Sequence, residues 1–317
     1  MNKNSSPIKK PLNPEVLSEL AQKLIAALGA EHVRENEPMS KHTTFEIGGA
    51  ADIVVFPQSI EQVSTTVELC KQAQVPWRVM GRGSNILVSD AGLRGVTIIL
   101  GEGFDSIQVQ GTKISVQAGA SNAAVAAAAQ AAGLAGYEFA CGIPGTIGGA
   151  AVMNAGAYGG EFARVCESVL CLRPSGTIET IPAAQVNWSY RHSLMMEDGS
   201  IVLAATLSLS PNTPGAIQER MDDLQKRREE KQPLDMPSAG STFKRPEGYF
   251  AGKLIEDAGL RGYRCGGAQI SQKHCGFVVN AGGSTAQDVC DLITHVQNTI
   301  REKNGVEMEP EVRMWGF

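Results

Sequence analysis

Apolar residues alternate between two rhythms along this chain, one helical and one extended. Asn13 and Pro14 form a helix cap and first position, and Leu17, Leu20, Leu24 and Leu28 follow as one stripe that Gly29 ends. Residues 51–57 (ADIVVFP) then predict a strand, and Ser59 with Gln62 predicts a capping box for a helix running to about Ala73. WRVM, NILV and VTIIL predict short strands broken by glycines, which completes a first α/β unit at 13–100. A second unit, 101–213, opens with a hairpin around Gly111 and an alanine-rich helix that Ser121 caps and Gly133 closes. Strands near 167–172, 177–182 and 201–209 complete it, and PNTPG (211–215) predicts the boundary. The third unit, 214–317, starts with a heavily charged helix over about 215–230, read as a solvated face. A short helix at 250–258, the strand FVVN, a helix capped by Ser284 with Gln287, and a last strand in EPEVRMW follow. Such a mixture predicts an α+β architecture in three lobes and speaks against a β/α barrel or one doubly wound sheet.

Composition narrows the function. With 28 basic and 33 acidic side chains the net charge is -5, which argues against a nucleic-acid partner. Seven cysteines, an odd number without a C-x-x-C pair, predict reduced core thiols and no zinc site, and His42, His192 and His274 form no metal motif. Residues 1–12 predict a flexible polar tail without the apolar run of a signal peptide, and no stretch is long enough to span a bilayer. The expected location is the cytoplasm, without a membrane partner, and the expected state is a monomer.

The 35 glycines, about 11% of the chain, concentrate where they matter. Gly81, Arg82, Gly83, Ser84 and Asn85 lie between two strands, in a turn whose consecutive N–H groups either merely reverse the chain or cradle a phosphate. A Rossmann site would need glycine at position 86, where Ile86 stands before a strand, and no Walker A motif occurs. The second concentration is G142-I-P-G-T-I-G-G-A-A-V-M-N-A-G-A-Y-G-G160, with seven glycines in 19 residues. So many positions without Cβ fit close approach to a large flat ligand.

Six ordered motifs then carry a resemblance: HTTFEIGGAAD (42–52), GRGSNILVSD (81–90), EFACGIPGTIGGAAVMNAGAYGGE (138–161), YRHS (190–193), SAGSTFKRP (238–246) and EPEVR (309–313). Together they resemble the UDP-N-acetylenolpyruvoylglucosamine reductase family. This resemblance implies the FAD-binding fold of the vanillyl-alcohol-oxidase type in two subdomains, followed by a C-terminal α+β substrate domain. It also implies an FAD-containing enzyme of peptidoglycan precursor synthesis that takes hydride from NADPH. Its substrate would be UDP-N-acetylglucosamine enolpyruvate and its product UDP-N-acetylmuramate.

Residue by residue, the resemblance assigns Gly81 to Asn85 to the FAD pyrophosphate. Gly142, Ile143, Gly145, Thr146, Gly148 and Gly149 would line the rest of the cofactor, with the 44–49 stretch as a weaker contact. Arg191 matches the arginine that stabilises charge developing beside the substrate carboxylate. Ser241 matches the serine that protonates the carbanion, and Glu311 the catalytic glutamate, with Glu309 as its alternative. Tyr158, Tyr190, Lys244, Arg245 and Asn280 are the candidate substrate contacts. Only 49 residues separate Arg191 from Ser241, which by the resemblance implies the compact form of the family, without an extra tyrosine-bearing loop. Competing expectations are another oxidase or dehydrogenase of the same flavin fold, and a flavin- or nucleotide-binding regulator without turnover.

Overall fold

The computed structural model describes residues 12–317, so the predicted tail lies almost wholly outside the described residues. Helix α1 (Pro14–Leu28) is capped by the Asn13 side chain, which accepts from the Glu15 amide, and it buries Leu20, Ala21, Leu24 and Leu28. Helix α2 (Ile60–Gln72) is capped by Ser59, whose hydroxyl accepts from the Gln62 amide. The reciprocal half of the predicted box is displaced by one residue, because the Gln62 side chain accepts from the Gln58 amide and not from Ser59. Both helices pack on a four-stranded sheet in the order Val33–Pro38, Ala50–Val55, Leu93–Ile99, Trp77–Met80, of which the last three strands are parallel.

A five-stranded antiparallel sheet comes next, ordered Ile178–Pro182, Cys166–Leu172, Ile201–Ser208, Lys113–Gln117, Ile107–Gln110. Helix α3 (Asn122–Ala131) lies beside it, capped by Ser121 as predicted. Helices α4 (Ile147–Met153) and α5 (Leu194–Asp198) are short and frame the central cavity. The first two units share one continuous core, in which Leu24, Ile53 and Val67 join Val125, Leu203 and Phe162. Their border at 100–101 is therefore a change of sheet and not a gap in packing.

Helix α6 (Pro214–Lys231), expected to open the third unit, packs on α3 and residues 134–140 of the second, because its inner face meets that core. The third unit holds α7 (Ala251–Asp257), α8 (Ala286–Asn304) and an antiparallel sheet ordered Ser238–Ser241, Phe277–Asn280, Ala268–Ile270, Arg264–Cys265. Its core is separate, centred on Val289, Leu292, Val296 and Val278, and it draws in Phe45, Ile47 and Leu87 from the first unit. Helix α8 is capped by Thr285 with Asp288, one residue beyond the predicted Ser284 and Gln287. The third unit is also not self-contained, because its last strand, Arg313–Trp315, pairs in parallel with Ile86–Val88 of the first.

All seven cysteines are free thiols. Burial pushes Cys70, Cys166 and Cys171 up to about 12, so these thiols stay protonated and behave as small core hydrophobes. Among the described residues no helix is long and apolar enough to cross a membrane, and no group of His, Cys, Asp and Glu could hold a metal ion.

Candidate active site

The three units meet around one large cavity of about 1880 Å³. Ordinary small-molecule pockets run to roughly 300–1,000 Å³, so there is room for two ligand bodies. One wall is made of backbone. The strand Trp77–Met80 ends in the 81–85 turn, and all five of its residues line the cavity. Among the described residues no protein acceptor takes the amides of Arg82, Gly83, Ser84 or Asn85. Gly83 sits at φ +62°, and a Cβ there would lie 2.3 Å from the His42 carbonyl oxygen. Only glycine permits that packing.

The second glycine segment closes against the first. The Ser84 hydroxyl donates to the Pro144 carbonyl at 3.1 Å, and a Cβ on Gly81 would sit 2.2 Å from Thr146 Oγ1. Ile147 and Gly148 donate their amides to Ala120 and Ala118, which fixes the start of α4 on the neighbouring segment. Ile143, Gly145, Thr146, Gly148 and Gly149 all face the cavity, and Gly149 opens directly onto it. Gly142 does not. Its missing Cβ accommodates Arg228, whose Nε would lie 2.6 Å from it.

Beside the 81–85 turn the lining changes to side chains. Arg191 donates from Nε to Glu311 Oε1 at 2.7 Å and reaches the Gly156 carbonyl at 3.4 Å. Burial pushes the Glu311 carboxyl above its ordinary value, while the charges of Arg191 and Lys244 pull the other way. The backbone of Glu311 is held at both ends. Its amide donates to Thr242 O at 2.8 Å, and its carbonyl accepts from Asn85 Nδ2 at 3.2 Å. Thr242 is pinned in turn by the Gly276 carbonyl and the Val278 amide. Ser241, just before it, is exposed at the end of its strand and lines the cavity with Arg191 and Glu311. The structure thus brings these three residues, from distant stretches, to one corner.

A smaller cavity of about 330 Å³ adjoins that corner and shares Arg191, Ser241, His274 and Glu311 with the large one. Tyr190 and Arg245 line it, with the Arg245 guanidinium 4.0 Å from the Phe250 ring centre. Tyr158 lines the main cavity with Arg228 stacked 5.7 Å from its ring centre. Two expected substrate contacts lie elsewhere. The Asn280 side chain is used up structurally, donating to Phe45 O and accepting from the amides of Gly282 and Ser284, and it lines neither cavity. Lys244 also lines neither, pairing with Glu309 at 2.5 Å. That exposed pair accounts for Glu309, so Glu311 is the glutamate that faces the site.

Two arginines escape a reading of the sequence. Arg228 lies inside the charged stretch expected to be wholly solvated, yet it is buried and faces the cavity. Ile217, Leu224 and Arg228 share one face of α6, and their spacing of seven and four was the available signal. Arg78 also lines the cavity, stacked 5.9 Å from the Trp315 ring centre, and its Nη1 is buried without a hydrogen-bond partner.

Free amides on a glycine-lined wall, a buried guanidinium nitrogen without a partner and this volume fit a dianionic diphosphate attached to a large flat ring, as in FAD. Comparison with known proteins decides the family. Residues 51–182 match the FAD binding domain family, and residues 232–315 match the C-terminal domain of UDP-N-acetylenolpyruvoylglucosamine reductase. The UDP-N-acetylenolpyruvoylglucosamine reductase of Clostridium beijerinckii is 52% identical over 278 residues, which is 88% of this chain and 91% of the relative. The chain belongs to the UDP-N-acetylenolpyruvoylglucosamine reductase family. It is an FAD-dependent oxidoreductase of that family. The family's protein from Caldanaerobacter subterraneus is 47% identical, covering 94% of this chain and 98% of the relative. The crystal structure of the Thermus caldophilus reductase superposes with a TM-score of 0.78 at 34% identity, over 89% of this chain and 99% of that one. p-Cresol methylhydroxylase superposes with a TM-score of 0.50 at 16% identity, over 95% of this chain and 67% of that one. That likeness concerns fold alone, and it agrees with an FAD-binding fold of the vanillyl-alcohol-oxidase type.

Proposed function

We propose that this enzyme reduces the enolpyruvyl group of UDP-N-acetylglucosamine enolpyruvate to give UDP-N-acetylmuramate, with NADPH as the source of reducing equivalents. One observation carries the reading. A cation and a carboxyl, Arg191 and Glu311 at 2.7 Å, share a cavity corner with the Ser241 hydroxyl, in the same cavity that the unpartnered amides of 82–85 line. Gly81 to Asn85 hold the FAD diphosphate, with Ile143, Gly145, Thr146, Gly148 and Gly149 along the rest of the cofactor. When bound there and reduced by NADPH, FAD would supply hydride chemistry to the vinyl group of the substrate.

The residues of this chain act at the neighbouring carbon. The electron pair of the double bond moves to the α-carbon and spreads into the attached carboxylate. Arg191 presents a fixed guanidinium to that growing charge, which needs no solvent reorganisation in a closed site. A second carboxylate beside Arg191 competes with Glu311 for the cation. Glu311, already raised by burial, then takes a proton from solvent as the substrate binds and donates a hydrogen bond in place of a repulsion. Ser241 gives its proton to the α-carbon, completing the saturated product, and recovers one from water. A hydroxyl is a weak acid, adequate here because the carbanion is a strong base. Tyr158, Tyr190 and Arg245 border the space left for the sugar nucleotide, in a chain whose segment between Arg191 and Ser241 holds α5, one long strand, a two-residue strand, α6 and the start of the strand that ends in Ser241.

Rapid-mixing absorbance tests the reading. NADPH alone should bleach the flavin, and the enolpyruvyl nucleotide should restore its colour in one turnover. Flavin that bleaches and does not recover with this nucleotide overturns the assignment of substrate.

A further inference from the structure

We infer that Asn154 is the positioning residue of Arg191, holding the strained turn that aims the guanidinium at the site. The inference rests on the reading that Arg191 engages the substrate carboxylate.

Arg191 occupies a left-handed backbone conformation, with φ +55°. For a residue with a long side chain this costs of order 1–3 kcal/mol and persists only where the surroundings enforce it. The turn itself is slight. Ser189 and His192 exchange two backbone hydrogen bonds, each 3.2 Å, around Tyr190 and Arg191. Enforcement comes from outside the turn, from the last residues of α4. The Asn154 side chain donates from Nδ2 to the Ser189 carbonyl at 3.1 Å. Its Oδ1 accepts from the Ala163 amide at 3.0 Å. Trp188 and Ser193, which flank the turn, donate to the Ala151 and Val152 carbonyls at 3.0 and 2.7 Å. Both carbonyls belong to the last turn of α4, where regular helical partners run out; the Ala151 carbonyl also accepts from the Asn154 amide at 3.3 Å.

Asn154 is only 3% exposed, and it is itself left-handed at φ 42° and ψ 58°. Asparagine tolerates that conformation better than most residues. It is also a side chain that offers a donor to Ser189 and an acceptor to Ala163 from one short carboxamide. Helix α4 begins at the glycines of the cofactor wall and ends at this clamp. The same rigid element therefore lines the flavin cavity with one end and sets the catalytic arginine with the other.

The test is Asn154→Asp, measured beside Arg191→Lys. Aspartate keeps an acceptor for Ala163 and tolerates the left-handed backbone, but it cannot donate to Ser189. Flavin content and bleaching by NADPH should match wild type. Recovery of the flavin by the enolpyruvyl nucleotide should slow by about 10²-fold, the scale of a small misplacement of a reacting group, with kcat falling more than KM rises. Slowing in both variants supports the inference. Slowing in Arg191→Lys alone overturns it and leaves the role of Arg191 standing. Normal recovery in Arg191→Lys overturns that role and the inference with it. Flavin lost in step with turnover in Asn154→Asp would make Asn154 a mere structural cap, which also overturns it. Should Asn154→Asp not fold, Trp188→Phe removes a second tie to the turn and keeps most of the ring volume. It should show a smaller slowing of the same step, and wild-type recovery in that variant would overturn the inference.

Discussion

The two walls of the cavity are built by opposite means. The wall proposed for the cofactor is mostly peptide backbone, made approachable by residues that lack a Cβ, and its amide donors, unlike Arg78 beside them, are neutral groups. The corner proposed for catalysis is made of side chains drawn from residues 191, 241 and 311, and it holds a charged pair that burial has unsettled. Backbone donors are fixed by the fold and indifferent to pH, so they suit a group that stays bound. Side-chain groups can change partner and protonation state, so they suit a substrate that arrives, reacts and leaves.

Substitutions should separate the walls, beginning with the most severe. Gly83→Ala puts a methyl group against the His42 carbonyl and a left-handed backbone on alanine. It should abolish flavin retention, read as loss of visible absorbance in the purified protein, whereas retention of flavin would show that the turn can move aside. Ser241→Ala should leave flavin reduction by NADPH intact and cut product formation by ~10²-fold or more. Equal product formation would remove the serine from the mechanism.

Glu311 gives a pH-dependent contrast. Its carboxyl is raised by burial, so the folded protein holds the proton more firmly than the unfolded chain does. Stability linked to this group is therefore greatest at low pH. It declines as pH rises from the ordinary carboxylate range through the raised folded value, and stays at the lower level above it. Glu311→Gln should flatten that segment of the melting temperature against pH, while the glycine wall contributes no slope. An unchanged slope would show that the group is not the one titrating. The smallest effect belongs to Lys244→Met, which breaks the half-exposed pair with Glu309. Exposed pairs of this kind are worth about 0–1 kcal/mol, so turnover should change by no more than about threefold. A larger loss would bring Lys244 back as a substrate contact.

The same division explains what could be read from the chain. The cofactor wall was legible because its signal is local, with glycines clustered in 81–85 and 142–149 between recognisable elements. Ser59 and Ser121 announced their helices because a cap acts over three residues. At α8 two adjacent hydroxyls, Ser284 and Thr285, offered equivalent caps, and only the bonding to Asp288 chose between them. The corner was legible only through the family motifs, since no local pattern joins residues 191, 241 and 311. Asn280 looked available because its sequence neighbours are motif residues, but turn formation at Gly282 and Ser284 consumes its amide. Arg228 was hidden by its charged neighbours, although its helical phase with Leu224 marked it as inward.

The pairing of Arg313–Trp315 with Ile86–Val88 has a consequence for biosynthesis. A ribosome delivers the glycine turn early, but the strand that continues from it must wait until the whole third unit has been translated to find its neighbour. Glu311 arrives in that same stretch, so a message cut short before it yields a polypeptide lacking both the seam and the carboxyl. Until then the strand that leaves the 81–85 turn has one edge without its parallel partner.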